Sequence, residues 1–445
     1  MTSPNSNSRL NNDESGAYYD WAKTMKPESP WTHDYNRTVV MKLLLCTRDG
    51  QGNIDKIYLT FSDVINVIRR INHITLGIPK IIYLVGWQYN GHDSKYPAWD
   101  QVNTSLKRSE DSTSLASLKW LIKKAKEYNT TISLHINMID AFMESPLWDE
   151  YLACDIIAKD SSGDPIKGEN FNGMQSYQIS YAREWELGYA QNRIDRLVNM
   201  IPELKESGTI HIDAFHSMRP SGPDEPISPY LGFSIDDEIV AQRKIIRYWR
   251  RYGIDVTSEG AMYWLRKDPF LGLQAMTWHY DEMTYAHENW IGKPDNFTSL
   301  PALLSAYTPM HAEPEIMQDP KNLPGLIEQF CLNVVPWYYR RNTDVSKTGT
   351  VIMDSDEVVC PVLWKEQTLI AYSRQGFDNR KIKLPSRWIN ITKVRAEILT
   401  VDGLKGSQIV PVEEETNWRN TSNNSISLSL QSGQAVVIQP IPLQS

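Results

Sequence analysis

Two carboxylates stand out by their positions. Asp213 lies in Gly208-Thr-Ile-His-Ile-Asp-Ala-Phe-His-Ser217 and Glu259 in Ile254-Asp-Val-Thr-Ser-Glu-Gly260. Each stretch is short and ends at a Gly or a Ser/Pro-rich loop, the pattern of a buried strand running into a loop. In the first, Ile210, Ile212 and Ala214 fall on one face, and His211, Asp213 and Phe215 on the other. A carboxylate so placed is costly to bury unless it is paired or used. If the strands are neighbours, about 5 Å apart, the carboxyls can approach to ~5–5.5 Å, the separation at which one attacks an anomeric carbon while the other protonates the leaving oxygen and later activates water. One of the two would then be the nucleophile and the other the acid/base, kept protonated by an apolar or anionic setting. The plainer alternative is a structural pair, hydrogen-bonded to His211 or to backbone.

Other polar residues gather at the ends of apparent strands. Trp87 closes Lys80-Ile-Ile-Tyr-Leu-Val-Gly-Trp87 and leads into a loop with His92 and Asp93, flanked by Tyr89 and Tyr96. His135 and Asn137 share a face of Thr131-Ile-Ser-Leu-His-Ile-Asn-Met138; Trp278 and His279 end Leu273-Gln-Ala-Met-Thr-Trp-His-Tyr280. His216, just past Asp213, either touches substrate or anchors its loop. These are the candidate substrate-binding positions, with aromatic faces for a sugar ring; a strand-end Trp is equally at home in the core, and His92–Asp93 in a solvated turn. No HxH or HExxH spacing makes a metal site specific, so no cofactor is expected, although a structural calcium is compatible with the composition.

The elements that would carry these residues alternate. Val39–Cys46 reads as a first strand, followed by helical spacing over Phe61–His73 with Ser62 as N-cap. An amphipathic helix covers Ser114–Asn129, and a long insertion, about 140–181, precedes a helix over Glu184–Met200. Another helix spans Ser234–Gly253, with Asp236, Asp237 and Glu238 in its first turn, where the macrodipole favours them. Strand–helix alternation predicts a parallel α/β architecture. The first strand is followed by no Gly-rich phosphate fingerprint, and several strands turn a polar face to one side, so a (β/α)8-type TIM barrel is favoured over a doubly wound sheet. Short strands separated by Gly/Asp/Asn/Ser turns after about 345 predict an all-β sandwich. The expected organisation is a flexible lead-in over 1–35, a catalytic barrel over 36–344 and an accessory sandwich over 345–445.

The chain has 445 residues, 46 basic and 54 acidic, for a net charge of −8, without a Lys/Arg block; nucleic acid and anionic membrane are disfavoured as partners. The 15 Trp and 22 Tyr favour a carbohydrate partner. Nothing specifies an oligomeric state. Cys46, Cys154, Cys331 and Cys360 form no CxxC pair and read as buried thiols compatible with a reducing compartment. No apolar run is long enough to span a bilayer, and the first residues lack a signal-peptide pattern, so a cytoplasmic location is expected.

The loop Trp87-Gln-Tyr-Asn-Gly-His-Asp-Ser94, with His135-Ile-Asn137, Ile212-Asp213 and Ser258-Glu-Gly260, resembles the endo-α-N-acetylgalactosaminidase group of glycoside hydrolases, families 101 and 129. The similarity spans about residues 38–340. It implies a retaining hydrolase acting on an α-linked N-acetylgalactosamine or related galacto-configured sugar. On that resemblance Asp213 matches the nucleophile, Glu259 the acid/base, and His92–Asp93 a pair that holds sugar hydroxyls. An α-galactosidase- or amylase-like barrel using the same carboxylates on another sugar, and a barrel that binds glycans without cleaving them, are the competing expectations.

Overall fold

The computed structural model describes residues 15–24, 26–215, 226–259, 270, 272–278, 309–343, 351–416 and 422–442. The chain divides into two compact units, residues 1–65 with 81–308 and residues 66–80 with 309–445. In the first, a six-stranded sheet runs in strict chain order: β1 (Val39–Leu44), β2 (Lys80–Val85), β3 (Thr130–Asn137), β4 (Thr209–Asp213), β5 (Asp255–Glu259) and β6 (Met276–Trp278). Pairing is parallel at β3–β4, β4–β5 and β5–β6. A doubly wound sheet would reverse its order at a switch point; this one does not. Ile210, Ile212 and Val256 are fully buried, and so are His211 and Thr257 on the alternate positions, as when both faces of a parallel sheet are covered.

The connecting helices follow local signals, with two differences from the sequence reading. Helix α1 (Phe61–Ile74) is capped by Thr60, not Ser62: the Asp63 N–H donates to Thr60 Oγ1 at 3.3 Å, and Asp63 Oδ2 accepts from the Thr60 N–H at 2.9 Å. This reciprocal pair begins two residues before the Ser. Helix α2 (Ser114–Ala125) has Thr113 as N-cap. The single helix expected over Glu184–Met200 is two, α3 (Tyr181–Glu186) and α4 (Tyr189–Met200), because Gly188, at φ 80°, takes the left-handed turn that breaks the run. Helix α5 (Ile235–Arg251) opens on a Ser234–Asp237 capping box. The insertion after β3 forms its own three-stranded antiparallel sheet, Asp140–Phe142, Met174–Gln178 and Lys167–Phe171, over a core containing Trp148, Tyr151 and Ile179.

The lead-in expected to be flexible is tied down from Ser15 onward. Arg247 pairs with Glu28 at 2.7 Å and donates to the Ser15 and Ala17 carbonyls. Asp255, fully buried at the start of β5, accepts from the Thr32 N–H at 2.9 Å and is ion-paired with Arg250. A buried carboxylate needs such partners, and these lie too far off in sequence to be read from it.

In the second unit, one antiparallel sheet orders its strands Ile352–Met353, Glu357–Pro361, Leu369–Ser373, Gln434–Pro440, Lys393–Thr400 and Gly403–Pro411. A three-stranded sheet contains Phe377–Lys383, Ser422–Leu430 and Glu413–Thr416. Val359, Ala371 and Ile438 of the first share one core with Ile382, Ile426 and Leu428 of the second. Three of these strands escaped the sequence reading. Phe377-Asp-Asn-Arg-Lys-Ile-Lys383, for example, buries only Ile382, so its apolar signal is weak. Cys46, Cys331 and Cys360 are buried free thiols; Cys154 is partly exposed.

Candidate active site

The register of β3, β4 and β5 builds the site in layers. His135 pairs with His211 and His211 with Thr257; two residues further along, Asn137 pairs with Asp213. Ser258 pairs with Ile212, so Glu259 follows on β5 as Asp213 follows on β4. The two carboxylates therefore end adjacent parallel strands. Ala214, at φ 47°, sits in the left-handed region immediately after Asp213, a strained turn of the kind that gathers at functional sites.

Beneath the carboxylates lies a buried imidazole layer. The His135 and His211 rings stack at 5.3 Å with 25° between their planes, and His92 meets His135 edge-on at 5.4 Å. His211 Nδ1 lies 3.0 Å from Thr257 Oγ1, which donates to the Tyr83 hydroxyl at 3.0 Å. Tyr83 in turn meets Thr209 at 2.6 Å, and the Tyr35 hydroxyl lies 3.0 Å from both Thr209 and Asp255. Hydrogen-bonded side chains thus run along this face from the start of β5 to the imidazoles.

Asp213, its side chain 18% exposed, sits 3.4 Å from His135 Nε2. Burial pushes its carboxyl up, but His135, through charge and hydrogen bond, then Lys42 and His92 outweigh that and hold it well below the usual carboxylate range. A nucleophile needs this ionised state. Glu259 Oε1 is 2.8 Å from Lys42 Nζ on β1, so the apolar or anionic setting expected for it is instead an ion pair. Burial raises Asp93, working against the nearby positive charge of His92 and alongside the negative charge of Asp213. Two neighbouring carboxyls are thus driven in opposite directions.

The His92–Asp93 loop is fixed by backbone. The His92 N–H donates to the Cys46 carbonyl at 2.8 Å, and Arg48 Nε to the Asp93 carbonyl at 2.5 Å. At Gly91, φ 120°, an added Cβ would lie 2.7 Å from the Cys46 carbonyl oxygen, so the loop closes on β1's continuation only without a side chain there. His92 Nε2 lies 3.5 Å from Asp93 Oδ2. Donor atoms of His92, Asp93 and Asp213 fall within 4.8 Å of one another, so the loop and β4 converge on one point.

Two substrate-binding expectations are corrected. Trp87 is fully buried, and its indole N–H donates to the His135 carbonyl at 2.9 Å; no face of the ring is open to a sugar. Asn137 is 2% exposed and forms a turn: its Oδ1 accepts from the Ile139 and Asp140 N–H groups at 2.8 Å each, and its Nδ2 donates to Asp140. His135, 3% exposed, lies under the site rather than in its opening. Trp278 pairs with Glu259 on β6, which brings its backbone beside the site. His216 and His279 lie outside the described residues.

Sequence reasoning missed Lys42. The signal was present: a lone lysine inside Val39-Val-Met-Lys-Leu-Leu44, a strand whose first five residues are buried. Tyr96 was noted only as a flanking aromatic, but burial and the charges of Asp93 and Asp213 raise its hydroxyl well above the usual tyrosine value.

His135, His211 and Glu259 also bring donor atoms within 4.8 Å, and two histidines with a glutamate form a zinc-type donor set. Here His211 Nδ1 is engaged with Thr257, and Lys42 already gives Glu259 a cation. The arrangement suits proton and carboxylate chemistry better than coordination.

Residues 55–262 match glycoside hydrolase family 101, described as endo-alpha-N-acetylgalactosaminidase. That segment contains the His92–Asp93 loop and both strand-end carboxylates. The match gives the chain a remote resemblance to this group of glycoside hydrolases. Among solved structures the chain is similar to alpha-N-acetylgalactosaminidase NagBb from Bifidobacterium bifidum, at 13% identity and TM-score 0.44, covering 56% of this chain and 38% of that one. It is also similar to the maltogenic alpha-amylase AmyB from Thermotoga neapolitana, at 10% identity and TM-score 0.42, covering 92% and 99%. A third is the alpha-galactosidase TtGalA from Thermus thermophilus, at 12% identity and TM-score 0.36, covering 67% and 54%. The chain thus spans well under two thirds of the length of NagBb. Among the described residues no helix is long and apolar enough to cross a membrane.

Proposed function

We propose that this glycoside hydrolase cleaves an α-linked N-acetylgalactosamine, or a related galacto-configured sugar, with retention of configuration. The observation that carries the reading is the β4–β5 register, with Asp213 and Glu259 ending adjacent parallel strands inside the family-matched segment. Asp213 attacks the anomeric carbon, and the bond to the leaving oxygen breaks as Glu259 delivers a proton to that oxygen. A glycosyl ester on Asp213 results. Glu259, now a carboxylate, takes a proton from water, whose oxygen displaces Asp213 and restores the starting anomeric configuration. Each half-reaction balances without a cofactor. Lys42 pairs with Glu259 before substrate arrives, so Glu259 gives up that partner and takes a proton from solvent before the first half-reaction. Asp93 and His92 hold sugar hydroxyls, a task that suits a carboxyl able to donate as well as accept. The six-stranded sheet is taken as part of a closed β/α barrel.

A second assignment deserves a direct test because burial raises Asp93 while Glu259 is ion-paired. In it Asp93 donates the proton and Glu259 only orients Lys42. Both assignments predict that Asp213→Asn stops turnover of nitrophenyl α-N-acetylgalactosaminide. They part with azide and an activated aryl glycoside. If Glu259 is the acid/base, Glu259→Ala forms the α-glycosyl azide and Asp93→Ala does not; the reverse pattern transfers the role to Asp93. Near wild-type turnover in both Asp213→Asn and Glu259→Gln would refute the two-carboxylate mechanism.

A further inference from the structure

We propose that His135 is a positioning residue for Asp213, presenting Nε2–H to Oδ1 so that the other carboxylate oxygen, Oδ2, is the one that attacks. The inference rests on Asp213 being the nucleophile and adds how it is aimed.

The geometry comes from three sides. His135 Nε2 lies 3.4 Å from Asp213 Oδ1. The imidazole cannot swing away: it is stacked on His211 at 5.3 Å, met edge-on by His92 at 5.4 Å, and its own backbone carbonyl accepts the Trp87 indole N–H at 2.9 Å. His211 is itself held through Nδ1 by Thr257. The imidazole is 3% exposed, and its second nitrogen, Nδ1, has no hydrogen-bond partner among the described residues. A proton on that buried nitrogen would be left unsatisfied, whereas one on Nε2 faces Asp213, so the ring presents Nε2–H to the carboxylate.

A carboxylate attacking a sugar presents one oxygen along the line of the breaking bond and keeps the other as the carbonyl of the resulting ester. With Oδ1 tethered to His135, the roles of the two oxygens are set before substrate arrives. When the ester forms, the same N–H faces the ester carbonyl, and when water displaces the sugar it receives the returning negative charge. His135 thus serves both half-reactions without touching the substrate, in line with its place below the opening.

Among the described residues, the other groups that bear on Asp213 are Lys42 from β1 and His92, Asp93 and Tyr96 from the loop after β2; Glu259 ends the neighbouring strand β5, and Arg48 acts on Asp93. All are retained when His135 alone is changed, so a shift in the titration of Asp213 reports on this contact.

The test uses the full chain and pairs mechanism-based labelling with pH profiles. A galacto-configured fluorosugar that traps the glycosyl enzyme, followed by peptide mass spectrometry, locates the nucleophile. The pH dependence of kcat/KM is then measured for wild type, His135→Phe, His135→Gln and His135→Asn. The expected result is labelling at Asp213, with the acid limb of His135→Phe moved up by about one pH unit and kcat lowered about tenfold or more. His135→Gln, which keeps an N–H near the Nε2 position, should bring the limb back towards wild type; His135→Asn, too short to reach, should not. A folded His135→Phe with the wild-type limb overturns the proposal. If that variant does not fold, identical limbs in the Gln and Asn variants do so. Labelling at another residue removes the assigned nucleophile, and this inference with it; labelling at Asp213 with unmoved limbs removes only the role of His135.

Discussion

Glu238 offers a quantitative test of how the scaffold around the site is held. It lies in α5, fully buried, and its carboxyl accepts from Ser180 Oγ at 2.6 Å and from the Ala182 N–H at 2.8 Å, pinning the start of α3. Burial raises it from an ordinary value of 4.5 to about 7, against the pull of those same hydrogen bonds. The folded state therefore holds a proton that the unfolded chain releases near 4.5. Its contribution to stability is fully present below that value, declines as pH rises through the window between 4.5 and about 7, and is lost above it. The gap corresponds to ~3 kcal/mol. Glu238→Gln removes the titration, although it weakens one of the two contacts at every pH. The difference in unfolding free energy between wild type and Glu238→Gln should change by about 3 kcal/mol from pH 4.5 to pH 8, wild type losing its advantage as pH rises. Urea denaturation at half-unit pH steps, followed by tryptophan fluorescence, measures it. Parallel stability curves across the whole range would refute the buried-proton argument, and a difference of opposite slope would mean that Glu238 is ionised in the fold.

Lys42→Met keeps the length of the side chain but removes the cation from Glu259 and from the surroundings of Asp213. Loss of one partner from a pair exposed 7% and 22% should cost ~2–4 kcal/mol, after discounting for the solvent that reaches Glu259, and the acid limb of kcat/KM should move upward because one of the charges holding Asp213 low is gone; thermal unfolding and pH–rate profiles check both. Asn137→Ala strands two backbone N–H groups beneath the site, so a loss of ~1–3 kcal/mol is expected, with activity recovering at low temperature; abolished activity in a variant of wild-type stability would instead mean that Asn137 meets substrate.

Much of the scaffold was legible in the sequence. Alternation along Ile210, Ile212 and His211, Asp213 locates a strand and its two faces, because side chains leave a strand on opposite sides in turn. Helix limits followed from short-range chemistry, and the errors were short-range as well: Thr60 rather than Ser62, and a glycine break at 188. Strands with little buried apolar surface, such as Gly403–Pro411, gave no comparable signal.

Asp213 and Glu259 could be placed at strand ends from sequence because a charged group inside an apolar period is conspicuous by its cost. Lys42 met the same criterion in β1 and was overlooked. Its partner could not have been named in any case: Lys42 and Glu259 are separated by 217 positions in the chain, and their strands, β1 and β5, have three others between them in the sheet order, so the two side chains meet at 2.8 Å only because the sheet curls. The same holds for His135 beside Asp213, for the Trp87 indole bonded to the backbone of β3, and for Asp255 holding the N-terminal segment. Periodicity records which side of the backbone a residue faces. Charge, burial and hydrogen bonding act over a few ångströms, so the ionisation of Asp213, the pairing of Glu259 and the turn at Asn137 were decided only when the tertiary fold brought distant strands into contact.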